Sequence, residues 1–146
     1  LQKIKKSKNF RSGTNCLRQL TFGYLDMAWF GQHNDVDNVE EFEKRAVKKT
    51  MLREQDTPGA SISTMFAHIF AGGYSAGYYS YKWAEVLDAD AFEKFQEDGI
   101  FNKDTAKSFR DNILSQGNIS HPLELYKHFR GREPKVEALL KREGLL

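Results

Sequence analysis

Apolar residues recur at intervals of three and four along most of this chain, and nowhere do they alternate over a useful length. In NCLRQLTFGYLDMAWF they fall at Leu17, Leu20, Tyr24, Met27 and Ala28, which sets them on one side of a long helix. DVDNVEEFEKRAVKKTML predicts a second helix with Asp37 or Asn38 as N-cap, acids in its first turn, lysines near its end, and Val39, Phe42 and Ala46 as its stripe. Pro58 and Gly59 interrupt REQDTPGASIST, which reads as a loop. From Ala76 to Asp98 another long helix is expected, with Tyr79, Trp83, Val86, Leu87 and Phe92 inward and a pause near Gly99. DTAKSFRDNILSQG offers Asp104 as N-cap, a stripe of Ala106, Phe109 and Ile113, and Gly117 as a stop. HPLELYKHFRG and EPKVEALLKREG each place a proline, Pro122 and Pro134, just inside a short helix, with Gly131 and Gly144 beyond the ends. The expected class is all-α, a single helical unit over residues 1–146 with an irregular Gly-rich loop and no internal repeat.

Composition narrows the function classes. At 146 residues, with 40% hydrophobic and 13% aromatic content, the chain can bury a core of its own. Its formal charge of +2 is too small for a general nucleic-acid or membrane argument. KIKKSKNFR concentrates Lys3, Lys5, Lys6, Lys8 and Arg11 beside Phe10, but a short basic run of this kind is ordinary for a solvated helix terminus or linker, and no nucleic-acid partner is expected. No apolar run approaches the roughly 18 residues of a membrane span, so no membrane partner is expected either. Cys16 is the single cysteine; it reads as a small buried side chain and excludes both an internal disulfide and a cysteine-rich zinc module.

The segment HIFAGGYSAGYYSY, from His68 to Tyr81, is dense in phenols. On a helix, Tyr74, Tyr78 and Tyr81 share one face, whereas Tyr79 joins Trp83 and Val86 on another. Buried phenols need hydrogen-bond partners, and a substrate carbonyl is one such partner. Phenols donate to a carbonyl or a developing oxyanion without carrying charge at neutral pH. Gly72 and Gly73 permit unusual backbone angles, close approach and hinge motion. The same residues also fit a plainer arrangement of amphipathic core tyrosines, a glycine turn and a loop histidine, and spacing alone does not separate the two.

These residues resemble the zinc oligopeptidases, the family that includes oligopeptidase A, peptidyl-dipeptidase Dcp and thimet oligopeptidase. SKNFRSGTNCLRQLTFGYLDMAW is similar to that family's helix downstream of its zinc site, FAHIFAGGYSAGYYSYKWAEVLDADAF to its substrate-binding segment, and LYKHFRGREPKVEALLKREGL to its C-terminal ending. The resemblance implies the C-terminal portion of a zincin-like metallopeptidase catalytic domain. It implies that Tyr81 is the catalytic donor to the oxyanion, that His68, Tyr74 and Tyr78 bind the substrate, and that Gly72 and Gly73 form a flexible loop closing over it. The spacing from His68 to Tyr74 resembles the oligopeptidase A and Dcp branch more than the thimet branch, and Lys82 departs from the apolar residue expected at its position.

The family's zinc is held by two histidines four residues apart in H-E-x-x-H, with a glutamate on a following helix. This chain holds His33, His68, His121 and His128, and no two are four apart. His121 and His128, two helical turns apart, are separated by about 10 Å along an axis, too far to share one ion. They and His33 read as surface or cap residues. No metal ligand is therefore assigned; zinc is expected in the parent enzyme and none is expected to be bound by this fragment. The chain opens at Leu1 without methionine, inside what reads as helix, and is expected to be a fragment of a longer cytoplasmic enzyme. Its expected partners are short peptide substrates, the N-terminal remainder of the parent, and a second copy of itself through apolar surface left exposed by truncation. The competing expectation is an autonomous helical interaction module with the tyrosines as anchors.

Overall fold

The three-and-four spacing is realised as helix, and no strand occurs among the described residues. The computed structural model describes residues 2–31, 35–53 and 57–146; His33, the loop positions 54–56 and the side chains of Gln2, Lys5 and Lys6 in the basic run lie outside what it describes. The helices are α1 (Gln2–Lys8), α2 (Ser12–Phe30), α3 (Val39–Val47), α4 (Ala67–Phe70), α5 (Ser80–Asp98), α6 (Lys103–Phe109), α7 (Pro122–Arg130) and α8 (Glu137–Arg142). A 3₁₀ turn, Ser63–Met65, precedes α4, and a π-helical turn, Arg110–Leu114, continues α6. The chain gathers into two compact units, Leu1–Trp83 and Ala84–Leu146, with the boundary inside α5.

The first unit is built around Leu25, Val47, Phe66 and Ile69, with Phe22, Trp29, Phe42, Met51, Ile62 and Tyr78 packed against them. The buried face of α2 is thus the Phe22–Leu25–Trp29 side. The expected stripe is corrected: Leu20, Tyr24 and Met27 are exposed, Leu17 and Ala28 half-buried. Both faces of α2 are apolar, so periodicity alone does not choose between them. Asn38, one of the two expected caps, starts α3 by accepting a hydrogen bond from the Glu41 amide. Glu43 on α3 is buried and draws in the 61–63 segment, accepting from the Ser61 hydroxyl at 2.6 Å and the amides of Ile62 and Ser63 at 3.0 and 2.6 Å. The Trp29 indole donates to Ser63 at 2.8 Å, tying the same segment to α2.

The second unit has two small cores. Val86 and Ala89 of α5 meet Ala138 and Leu139 of α8, while Ala91, Tyr126 and Phe129 gather Leu87, Phe95, Phe109 and Ile113. Between the sides of α5 lies the fully buried Asp90, which accepts from the Tyr126 hydroxyl at 2.6 Å and from the Arg132 guanidinium at 2.6 and 3.1 Å. Three expectations are corrected here. Tyr79 and Trp83 are exposed, because α5 begins only at Ser80 and turns its small residues inward. Asn102, not Asp104, caps α6, accepting from the amides of Asp104 and Thr105. Pro134 precedes α8 by three residues rather than opening it. The expected limits of α7 hold, with Pro122 first, the His121 ring accepting from the Leu123 amide, and Gly131 at φ 79° closing it.

Candidate functional site

The short helix α4 carries His68 and ends where Gly72 turns the chain back. The Gly72 amide donates to the Ala67 carbonyl at 2.8 Å, and a Cβ at Gly72 would lie 2.8 Å from the His68 carbonyl oxygen and 2.9 Å from its Cα. Both neighbours are backbone, so only glycine fits. Gly73 follows at φ 78°, a left-handed angle glycine adopts without steric cost. The Tyr74 amide then donates to the His68 carbonyl at 3.1 Å, closing the turn, and the Ser75 hydroxyl donates to Ile69 at 2.6 Å.

Residues 75–79 form turns rather than helix, so Tyr74 and Tyr78 precede α5 instead of riding on it. The clustering expected of a shared helical face is nevertheless reached by the turn. Tyr74 stacks on Tyr81 with ring centroids 5.3 Å apart, Tyr78 lies 5.0 Å from Tyr81, and His68 sits 6.1 Å from both Tyr74 and Tyr78. Tyr78 is anchored from below by Phe66 at 5.1 Å and Phe22 at 5.6 Å. Tyr74 and Tyr81 remain 38% and 42% exposed. A hydrogen bond to Tyr74, burial and the neighbouring phenols hold the Tyr81 proton above its ordinary range, and burial raises Tyr78 against the pull of Arg18. Tyr78 and Tyr81 therefore stay protonated at neutral pH.

What fixes the turn is Asp26 on α2, which sequence reasoning did not single out. Its carboxylate is fully buried and accepts from the Ala76 amide at 2.8 Å and the Tyr78 amide at 2.9 Å. It thereby holds Ala76 at the unusual φ of 54° and aims Tyr78. No local signal singles it out, because Asp26 lies on the Phe22–Leu25–Trp29 face of α2, which only packing shows to be the buried one.

Beside His68 and Tyr78 opens a groove of about 580 Å³, walled by Leu17, Phe22, Met51, Ile62 and Phe66. All six expected site residues thus fall within one short region, four as an aromatic cluster and two as its turn, and two of the cluster also line the groove. A zinc ion takes at least three protein ligands. No group of three or more His, Cys, Asp or Glu comes together among the described residues, so these residues do not fit a zinc site. No described helix is long and apolar enough to cross a membrane.

Residues 1–145 match the profile described as Peptidase family M3. The chain is 44% identical to oligopeptidase A of Escherichia coli strain K12 over 146 residues, covering 99% of this chain and 22% of that protein. It is 45% identical to oligopeptidase A of Haemophilus influenzae, again across 22% of that protein, and 35% identical to the dipeptidyl carboxypeptidase of Escherichia coli strain K12, across 21%. The chain thus spans about a fifth of the length of these relatives. With the profile covering nearly every residue, the chain belongs to peptidase family M3.

Proposed function

We propose that this chain supplies the peptide-binding and transition-state-stabilising part of a zinc metallopeptidase that hydrolyses short peptides, as an oligopeptidase or a peptidyl-dipeptidase, and that it does not hydrolyse peptides alone. The observation that carries this reading is the fixed cluster of His68, Tyr74, Tyr78 and Tyr81, partly open to solvent beside a groove. A peptide laid along it meets neutral donors for its backbone carbonyls. Tyr81 is the donor to the carbonyl oxygen that gains negative charge, because its half-exposed ring is held in place against Tyr74 and Tyr78 and its phenol is neutral at neutral pH. Tyr78, Tyr74 and His68 hold the peptide backbone, Tyr74 also orders Tyr81 by stacking, and Gly72 with Gly73 forms the loop that closes over the bound peptide.

The metal-activated water belongs, on this reading, to the zinc-bearing remainder of a longer parent, and the cytoplasm is the proposed compartment. The test is Tyr81→Phe in that complete peptidase. Removing one oxyanion donor is expected to lower kcat about 100-fold or more while KM and the thermal midpoint change little. An unchanged kcat removes Tyr81 from the chemistry.

A further inference from the structure

The segment from Ser61 to Tyr78 carries five of the six residues placed at the site, His68, Gly72, Gly73, Tyr74 and Tyr78, and it is built of turns and short helical pieces. A path of this kind leaves amides without regular partners, so their acceptors come from elsewhere. At both ends the acceptor is a buried carboxylate on a neighbouring helix. Asp26 of α2 takes the amides of Ala76 and Tyr78, while Glu43 of α3 takes those of Ile62 and Ser63 and the Ser61 hydroxyl. Asp26 is fully buried and Glu43 is 6% exposed, so little water competes at either end. Burial raises the pKa of Glu43, yet the bonds from Ser61, Ser63 and Ile62 lower it by more, and it is a carboxylate at neutral pH. Trp29 of α2 joins the two anchoring helices, packing on Phe42 of α3 with centroids 4.3 Å apart while its indole donates to Ser63.

From Glu43 the path to the site is short. The Met65 amide donates to Ile62 and the Phe66 amide to Ser63, forming the 3₁₀ turn, and the Ile69 amide donates to Phe66 where α4 begins. Ile62, Met65 and Phe66 wall the groove, and the Phe66 ring lies 6.0 Å from His68 and 5.1 Å from Tyr78. A shift at Ser61–Ser63 is therefore passed to one wall of the groove and to the ring packed between His68 and Tyr78. We propose that Glu43 is a positioning residue for peptide binding, which with Asp26 fixes both ends of the 61–78 segment so that His68 and the Ile62–Phe66 wall are in place before a peptide arrives. This rests on the peptide-binding reading above and adds what keeps the site in shape. Without the second anchor the peptide itself would order the segment, at a cost taken from its affinity. Tyr81 lies beyond the segment on α5, so Glu43 bears on binding rather than on the oxyanion.

The test compares Glu43→Ala, Glu43→Gln and Asn38→Ala in the complete peptidase, with one internally quenched alanine-rich peptide as substrate and the thermal midpoint read alongside. Glu43→Ala is expected to raise KM about tenfold with kcat within about twofold of the parent. Glu43→Gln keeps one acceptor oxygen for Ser61 and Ser63 but sets an NH₂ group against the Ile62 amide, so its KM should fall between the two. Asn38→Ala weakens the same helix through its cap, away from the 61–63 segment, and should lower the midpoint while leaving KM within about twofold. Should Glu43→Ala not fold, Glu43→Gln against Asn38→Ala decides the matter alone. An unchanged KM in a folded Glu43 variant overturns the proposal. Equal KM rises in Glu43→Gln and Asn38→Ala at equal midpoint loss overturn it too, because Glu43 would then act through stability only. Tyr81→Phe reads kcat and these variants read KM, so the two failures are distinct. Loss of kcat in Tyr81→Phe with KM unmoved by Glu43 would keep the peptidase reading and discard this one.

Discussion

Asp26 shows how one side chain can organise a site it does not enter. It spends both carboxylate oxygens on amides of the 76–78 turn, and its complete burial means no water replaces them. Asp26→Ala leaves two amides without their charged acceptor and is expected to lower unfolding free energy by roughly 2–3 kcal/mol, read as a shift of the denaturant midpoint. The same variant in the complete peptidase should raise KM, because Tyr78 loses its anchor. Lys82 departs from the apolar residue expected there, and its half-buried place at the start of α5 leaves the ring stack intact.

At the scale of the element, caps were more legible than faces. Pro122, Gly131 and Asn38 act through their own backbone or that of neighbours within three residues, which is information a local sequence carries. Asp104 is also a good cap, but the cap is Asn102, whose side-chain oxygen reaches the amides of both Asp104 and Thr105. Asn102→Ala is expected to cost about 1 kcal/mol, with Asp104→Ala costing less, as measured by thermal unfolding. Faces failed where a helix is apolar all round. On α2 the Leu20–Tyr24–Met27 side is as apolar as the Phe22–Leu25–Trp29 side, and only the second meets Val47, Phe66 and Ile69. Likewise α5 buries Val86, Ala89 and Ala91 and leaves Trp83 and Phe92 outside, because alanine lets neighbouring backbones approach more closely than an aromatic ring does.

For the whole molecule, buried carboxylates set the response to acid. Burial works against the charge of Glu43, but hydrogen bonds from Ser61, Ser63 and Ile62 outweigh it and leave its pKa below the ordinary value near 4.5. Burial likewise opposes the Asp90 charge, and Arg132, Tyr126 and Arg130 overcome it, holding Asp90 below about 3.8. Lowered folded values mean that the stabilisation is complete above the unfolded values and disappears as pH falls through the folded ones. The thermal midpoint should therefore stay level from about pH 7 to pH 5 and drop below about pH 4, and Asp90→Asn should be less stable at neutral pH with a shallower acid limb. The exposed Leu20, Tyr24, Met27 and Phe30 on α2 are proposed to drive self-association of the isolated chain. Sedimentation should show mass rising with concentration, and the Leu20→Glu, Met27→Glu pair should abolish that rise without altering helix content. The sequence by itself determined the helical class, the limits of α7, the start of α3 and the end of α5, and the identity of the residues gathered around His68, because periodicity, caps and glycine turns are local. Which face of α2 and α5 turns inward, that a turn rather than a helix brings the tyrosines together, and that Asp26 holds it were decided only by tertiary packing. Those choices depend on partners some 20 to 50 residues away in the chain, and a burial contest between two apolar faces is settled only when such partners arrive.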